Sequence, residues 1–179
     1  MLIIDRYPFH CWTDNTRANP VTYWSARLPV YLCDPGMSAP AGDAAKQEWT
    51  LDTGNTAEAF AWRDHLRQAG LVLAKDPWLL PHKVSVSSAI SGKRKEAARV
   101  RQANIWLVSN VPGIAHRLWR IELARGIIFR DVAARPDPEL HRPLIGFKAL
   151  LKARLRVELD FVGKTVSVWA PDSAGPGLV

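Results

Sequence analysis

Leu51-Asp52-Thr53-Gly54 closes the run Glu48-Trp49-Thr50 and precedes Asn55-Thr56. Its residue types suit the activation of water. A carboxylate that draws a proton from water must sit where a substrate carbonyl can reach it, and it works best beside a second carboxyl that keeps its proton. Two carboxyls a few ångströms apart cannot both ionise, so such a pair shares one proton and titrates as a unit. Asp52 is the candidate for one member. The hydroxyl of Thr53 can lock two such loops together, and Gly54 lets backbones approach where a side chain would clash. The same residues also suit a strand running into a plain turn, because Asp, Gly and Asn all favour turns. The rest of the chain has to separate the two readings.

The elements that must deliver this loop can be read in order. Residues 1–20 are rich in turn formers and aromatics and carry no clear period. Residues 21–33 have the β-branched and aromatic content of a strand, with Pro29 at an edge or a bend. Residues 34–46, DPGMSAPAGDAAK, read as a loop. Residues 47–51 are strand-like, so a hairpin with a long tip delivers Asp52. Residues 55–70 admit two readings. Asn55 with Glu58 resembles a capping box opening one helix that stops at Gly70. Alternatively 57–61 is a short strand and a helix starts near Trp62, with Trp62, Leu66 and Ala69 on one face; this second reading is adopted here.

From Lys83 onward the pattern turns to strand, passes the turn signal Ser91-Gly92-Lys93, and alternates again over 99–108, which predicts a β-hairpin with a basic tip. Such a hairpin is either a flap that excludes water from bound substrate or an exposed hairpin whose charges block edge pairing. Ala124-Arg125-Gly126, between 118–124 and 127–132, signals a second hairpin. Residues 143–151 read as an apolar strand end, a glycine and a short helix with Phe147, Leu150 and Leu151 on one face. Strict alternation over 155–161 places Leu155, Val157, Leu159 and Phe161 inward, and Val162-Gly163-Lys164 turns into a partner strand from Thr165 to Trp169.

An apolar-Asp-Thr-Gly loop, a hairpin, and then Leu144-Ile145-Gly146 opening a short helix resembles the retropepsin-like aspartic peptidases, over roughly residues 24–170. The resemblance implies an all-β fold with one or two short helices: a retropepsin-like acid-protease lobe whose sheet folds into a closed, barrel-like form with a flap hairpin. It divides the chain into an extension at 1–20, the protease domain at 21–170 and a tail at 171–179. It implies Asp52, Thr53 and Gly54 as the catalytic triplet, with Leu51, Leu144, Ile145 and Gly146 supporting the loop. The flap would be Ser88, Ala89, Ile90, Ser91, Gly92, Lys93, Arg94 and Lys95. One lobe carries one such Asp, so the resemblance implies an aspartic endopeptidase active as a homodimer on peptide or protein substrates. Asn55 departs from the small residue usual in the family, and the flap tip lacks an aromatic and carries three positive charges.

Composition bounds the alternatives. The 179 residues are 47% hydrophobic, 9% aromatic and 23% charged, which suits one globular domain and excludes wholesale disorder. Eight tryptophans imply a well-filled core or an aromatic-lined groove. A net charge of +7 permits nucleic-acid binding through Lys93, Arg94, Lys95, Arg99 and Arg101. A catalytically silent peptide-binding or oligomerising member of the fold is the other alternative. The two cysteines and scattered histidines offer neither a disulfide framework nor metal-ligand spacing, so no metal or cofactor is expected. No run suits a signal peptide or membrane span, and a cytoplasmic location with reduced thiols is expected.

Overall fold

The computed structural model describes residues 2–16, 18–52, 54, 57–71, 75–86, 96–108, 118–131 and 141–171. In chain order these form β1 (Leu2–Pro8), β2 (His10–Asp14), β3 (Val21–Ser25), β4 (Arg27–Cys33), β5 (Gln47–Asp52), β6 (Ala59–Trp62), α1 (Arg63–Gln68), β7 (Leu79–Val86) and β8 (Glu96–Arg101). There follow β9 (Asn104–Val108), β10 (Leu118–Glu122), β11 (Ile127–Arg130), β12 (Leu144–Gly146), α2 (Phe147–Lys152), β13 (Arg156–Asp160) and β14 (Thr165–Ala170). The fold is mostly β-sheet with two short helices. Among the described residues no helix is long and apolar enough to cross a membrane.

The large sheet runs β10-β9-β4-β5-β12-β6-β11-β8-β7, a smaller one runs β1-β14-β13, and β2 pairs with β3. Closing a sheet requires its two end strands to pair. Among the described residues β10 pairs with β9 and β7 with β8, but β7 and β10 do not pair with each other. The closed barrel expected from sequence is therefore corrected to an open sheet.

The register explains how Pro29 fits inside an inner strand. Pro29 lies opposite Glu48 of β5, whereas pairing with β9 begins only at Val30. The absent N–H thus falls where β4 has a neighbour on one side only. The small sheet packs on the large one: β1 lies against β4 and β9, and Ile4, Tyr7, Val166 and Val168 join Leu28, Val30, Trp49 and Ile105 in one apolar cluster. Burying each such aliphatic side chain contributes about 1.5–3 kcal/mol, so this interface holds β1 and β14 on the large sheet. A register shift between Ile3 and Asp5 lets Ile4 and Tyr7 both face the core. That bulge hides the period of two, and is why residues 2–8 show no strand pattern in sequence.

Trp62, Leu66 and Ala69 are all buried, Leu66 within α1 and the other two as the residues that flank it, and Gly70 follows the helix at φ 76°. The inward face expected for α2 is corrected: Ala149 and Leu150 are buried, while Phe147 and Leu151 are 48% and 66% exposed. This six-residue helix packs against β10 and β12, and Leu150 with the small Ala149 fills the space available there. Leu155 is buried and Val157 and Leu159 pack on the core, but Phe161 at the following turn is exposed. The alternating run 99–108 is two strands, broken at Gln102-Ala103.

The second predicted hairpin is also corrected. Residues 124 and 125 do turn, closed by the Gly126 N–H on the Leu123 carbonyl at 3.1 Å. The strands either side then part: β10 joins β9, and β11 lies between β6 and β8. Gly126 is required here, since its φ is 71° and an added Cβ would lie 2.5 Å from the Arg101 carbonyl oxygen.

Candidate active site

Asp52 is the last residue of β5, a strand held on both sides. β4 runs antiparallel to it on one flank and β12 runs parallel on the other, with Leu144 opposite Thr50, Ile145 opposite Leu51 and Gly146 opposite Asp52. Four residues that are remote in sequence from the Asp-Thr-Gly triplet or flank it are thereby brought together: Leu51, Leu144, Ile145 and Gly146. Leu51 packs partly buried on the core and Ile145 is fully buried. Backbone bonds tighten the junction. The Thr50 N–H donates to the Pro143 carbonyl and the Leu51 N–H to the Ala26 carbonyl, each at 2.9 Å, and the Gly146 N–H donates to the Glu58 carbonyl at 2.8 Å.

The Asp52 side chain is half-buried, and its Oδ1 accepts the Gly54 N–H at 3.0 Å. This Asx-type turn fixes the carboxylate, and among the described residues its other oxygen has no partner and can take a water or a donor. An added Cβ at Gly54 would lie 3.4 Å from that Oδ1, ordinary van der Waals contact, and Gly54 does not have the positive φ that favours glycine. Among the described residues, nothing in the single chain therefore demands glycine at this position. Thr53, Asn55 and the expected flap residues Ser88 to Lys95 lie outside the described residues. The stem of the hairpin is described: β7 and β8 pair antiparallel as far as Val86 opposite Glu96.

Glu58 is the residue that sequence reading missed. It precedes β6 and is 2% exposed, in a run (Ala57-Glu58-Ala59-Phe60) otherwise fit for a buried strand. Its Oε2 accepts the Arg125 N–H at 3.0 Å and its Oε1 takes the ammonium of Lys152 at the end of α2. With its carbonyl on Gly146, this one residue ties β6, β12, α2 and the turn before β11 together directly behind Asp52. A lone carboxylate at the start of an otherwise apolar and small strand, 57–61, was the available signal.

Arg101, counted among the candidate nucleic-acid contacts, is 2% exposed. Its guanidinium bridges Asp76, whose side chain is also buried, and Asp34 at 2.6 Å. A charge sealed in this way joins β8 to the loop after β4 and cannot meet a phosphate backbone. Arg99 pairs with Asp131 at 3.2 Å. At the start of α1, His65 accepts the Trp62 N–H on Nδ1 at 3.3 Å, and burial pushes its pKa down to about 4 against a partial upward pull from Asp64. Comparison of the chain with protein-family models, with curated proteins and with solved structures finds no match.

Proposed function

We propose that this chain is one lobe of a retropepsin-like aspartic endopeptidase, acting as a homodimer in which two copies of Asp52 activate water for peptide-bond hydrolysis. The observation that carries the reading is the parallel register of β12 on β5, which sets Gly146 opposite Asp52 and sends the chain directly into α2. A carboxylate at the mouth of two parallel strand ends, one oxygen pinned by the Gly54 N–H, is aimed outward from a rigid floor. In the dimer one Asp52 keeps its proton and polarises the scissile carbonyl, while the other takes a proton from water. Gly54, which no contact among the described residues requires, would then answer to the close approach of a second loop. The nucleic-acid reading is weakened by the burial of Arg101. We also propose a cytoplasmic location, with which Cys11 and Cys33 as free thiols are in keeping.

The test is hydrolysis of a peptide library at mildly acidic pH by the wild type and by Asp52→Asn. Loss of a general acid–base group lowers the rate by about 10²- to 10⁴-fold at least, with folding nearly unchanged. Equal turnover by the two proteins would remove the proposal, and no turnover by either would favour the catalytically silent alternative.

A further inference from the structure

β8 outruns its neighbour. It pairs with β11 only from Arg101 opposite Ile127 to Arg99 opposite Phe129, yet pairs with β7 as far as Glu96. Where β11 stops, a notch of about 200 Å³ opens, lined by Lys83, Glu96, Ala97, Arg99, Arg130 and Asp131. That volume corresponds to roughly six or seven liquid waters.

Its charges do not cancel. Asp131 is shared by Arg99 at 3.2 Å and Arg63 at 3.9 Å, and Glu96 is taken by Arg130 at 3.0 Å. Lys83 adds a fourth cation, with no carboxylate partner among the described residues. Three cations of the lining, Lys83, Arg99 and Arg130, face two carboxylates, and Arg63 reaches Asp131 from outside it. Moreover, the Nε donor of Arg130 is buried without an acceptor among the described residues. A buried donor left unmet costs its full desolvation, so this lining favours an added acceptor. Ala97 and Ala98 leave the wall between the cations clear of bulk.

We propose that this notch binds an oxyanion, the carboxylate or phosphate group of a small or peptidic ligand, between Lys83, Arg99 and Arg130. The site is separate from Asp52. β12, β6 and β11 lie between β5 and β8, four strand spacings or roughly 19 Å along a flat sheet. Because it sits at the stem of the β7–β8 hairpin, an anion there would brace that hairpin against the end of β11.

The experiment titrates the full chain with sodium phosphate and, separately, with sodium N-acetylglutamate, at ionic strength held constant with chloride. It follows the backbone amides of residues 96–99 and the Nε–H of Arg130 by NMR. Saturable shifts confined to these groups are expected. Affinity should fall about 10-fold or more in Ala97→Glu, which sets a carboxylate on the exposed wall of the notch without removing an ion pair. Lys83→Gln should weaken binding in the same direction, and serves alone if Ala97→Glu misfolds. Tighter phosphate binding assigns a phosphoryl ligand, and tighter acetylglutamate binding assigns an acidic side chain. No saturable shift with either anion, or affinity unchanged in folded variants, would overturn the site.

Discussion

Replacing Glu58 by alanine probes how the floor under Asp52 is held. The two oxygens of this carboxylate serve unequal partners. The Lys152 side chain is 48% exposed against 2% for Glu58, so a freed ammonium rehydrates and the ion pair contributes under about 1 kcal/mol. The Arg125 N–H bonded to Oε2 at 3.0 Å is a charge-assisted bond, worth about 1.5–3 kcal/mol. Removing the buried stem adds about 1 kcal/mol. Glu58→Ala should therefore cost about 3–4 kcal/mol. Glu58→Gln keeps the volume and an acceptor and should cost about 1–2 kcal/mol, and Lys152→Ala, which leaves one oxygen of the buried Glu58 carboxylate to whatever water reaches it, about 1–3 kcal/mol. Urea unfolding with a common m value measures all three. On the proposed enzyme, Glu58→Ala should lower kcat more than Lys152→Ala, because Glu58 fixes the strand that meets Gly146. If Lys152→Ala proves as costly as Glu58→Ala, the pair rather than the Arg125 bond holds the junction, and this reasoning fails.

Arg101→Met should cost about 3–5 kcal/mol in the same assay, because it strands the buried Asp76 carboxylate; a loss below about 1 kcal/mol would show that water reaches that triad. His65 has a folded pKa of about 4 against an ordinary 6.5, so the unfolded chain binds the proton first and stability falls as pH drops from about 6.5 to about 4. His65→Gln should flatten that part of a Tm-against-pH curve, and an unchanged slope would contradict it. Cys33 is buried with its pKa raised by desolvation, and its sulfur takes the Trp106 Nε1–H at 2.8 Å, while Cys11 is exposed. A thiol reagent should label Cys11 alone in the native chain and both thiols after unfolding; rapid native labelling of Cys33 would refute its burial.

What could be read from sequence was what local pattern encodes. Trp62, Leu66 and Ala69 gave a helical face, Leu144-Ile145-Gly146 a strand end opening a helix, and Asp52 a strand terminus, all of which the fold contains. Partner choice was not legible. The turn at Ala124-Arg125 looks like a hairpin because a turn signal carries no information about which strands flank it in space, and here they join β9 on one side and β6 and β8 on the other. Phe147 and Leu151 were misread because a helix this short obeys the room left by β10 and β12 more than its own apolar stripe. Glu58 and Arg101 escaped notice because charge is expected at the surface, and only the fold supplies the buried partners that let it stay inside.

The claim that two copies of Asp52 share one site is tested most directly by mixing. Wild type and Asp52→Asn are combined at a fixed total concentration, allowed to exchange subunits, and assayed for peptide hydrolysis as the wild-type fraction is varied. A site built from both chains predicts activity that follows the square of that fraction, about one quarter at equal amounts. Activity that falls in simple proportion would mean that each chain works alone, and would contradict the account.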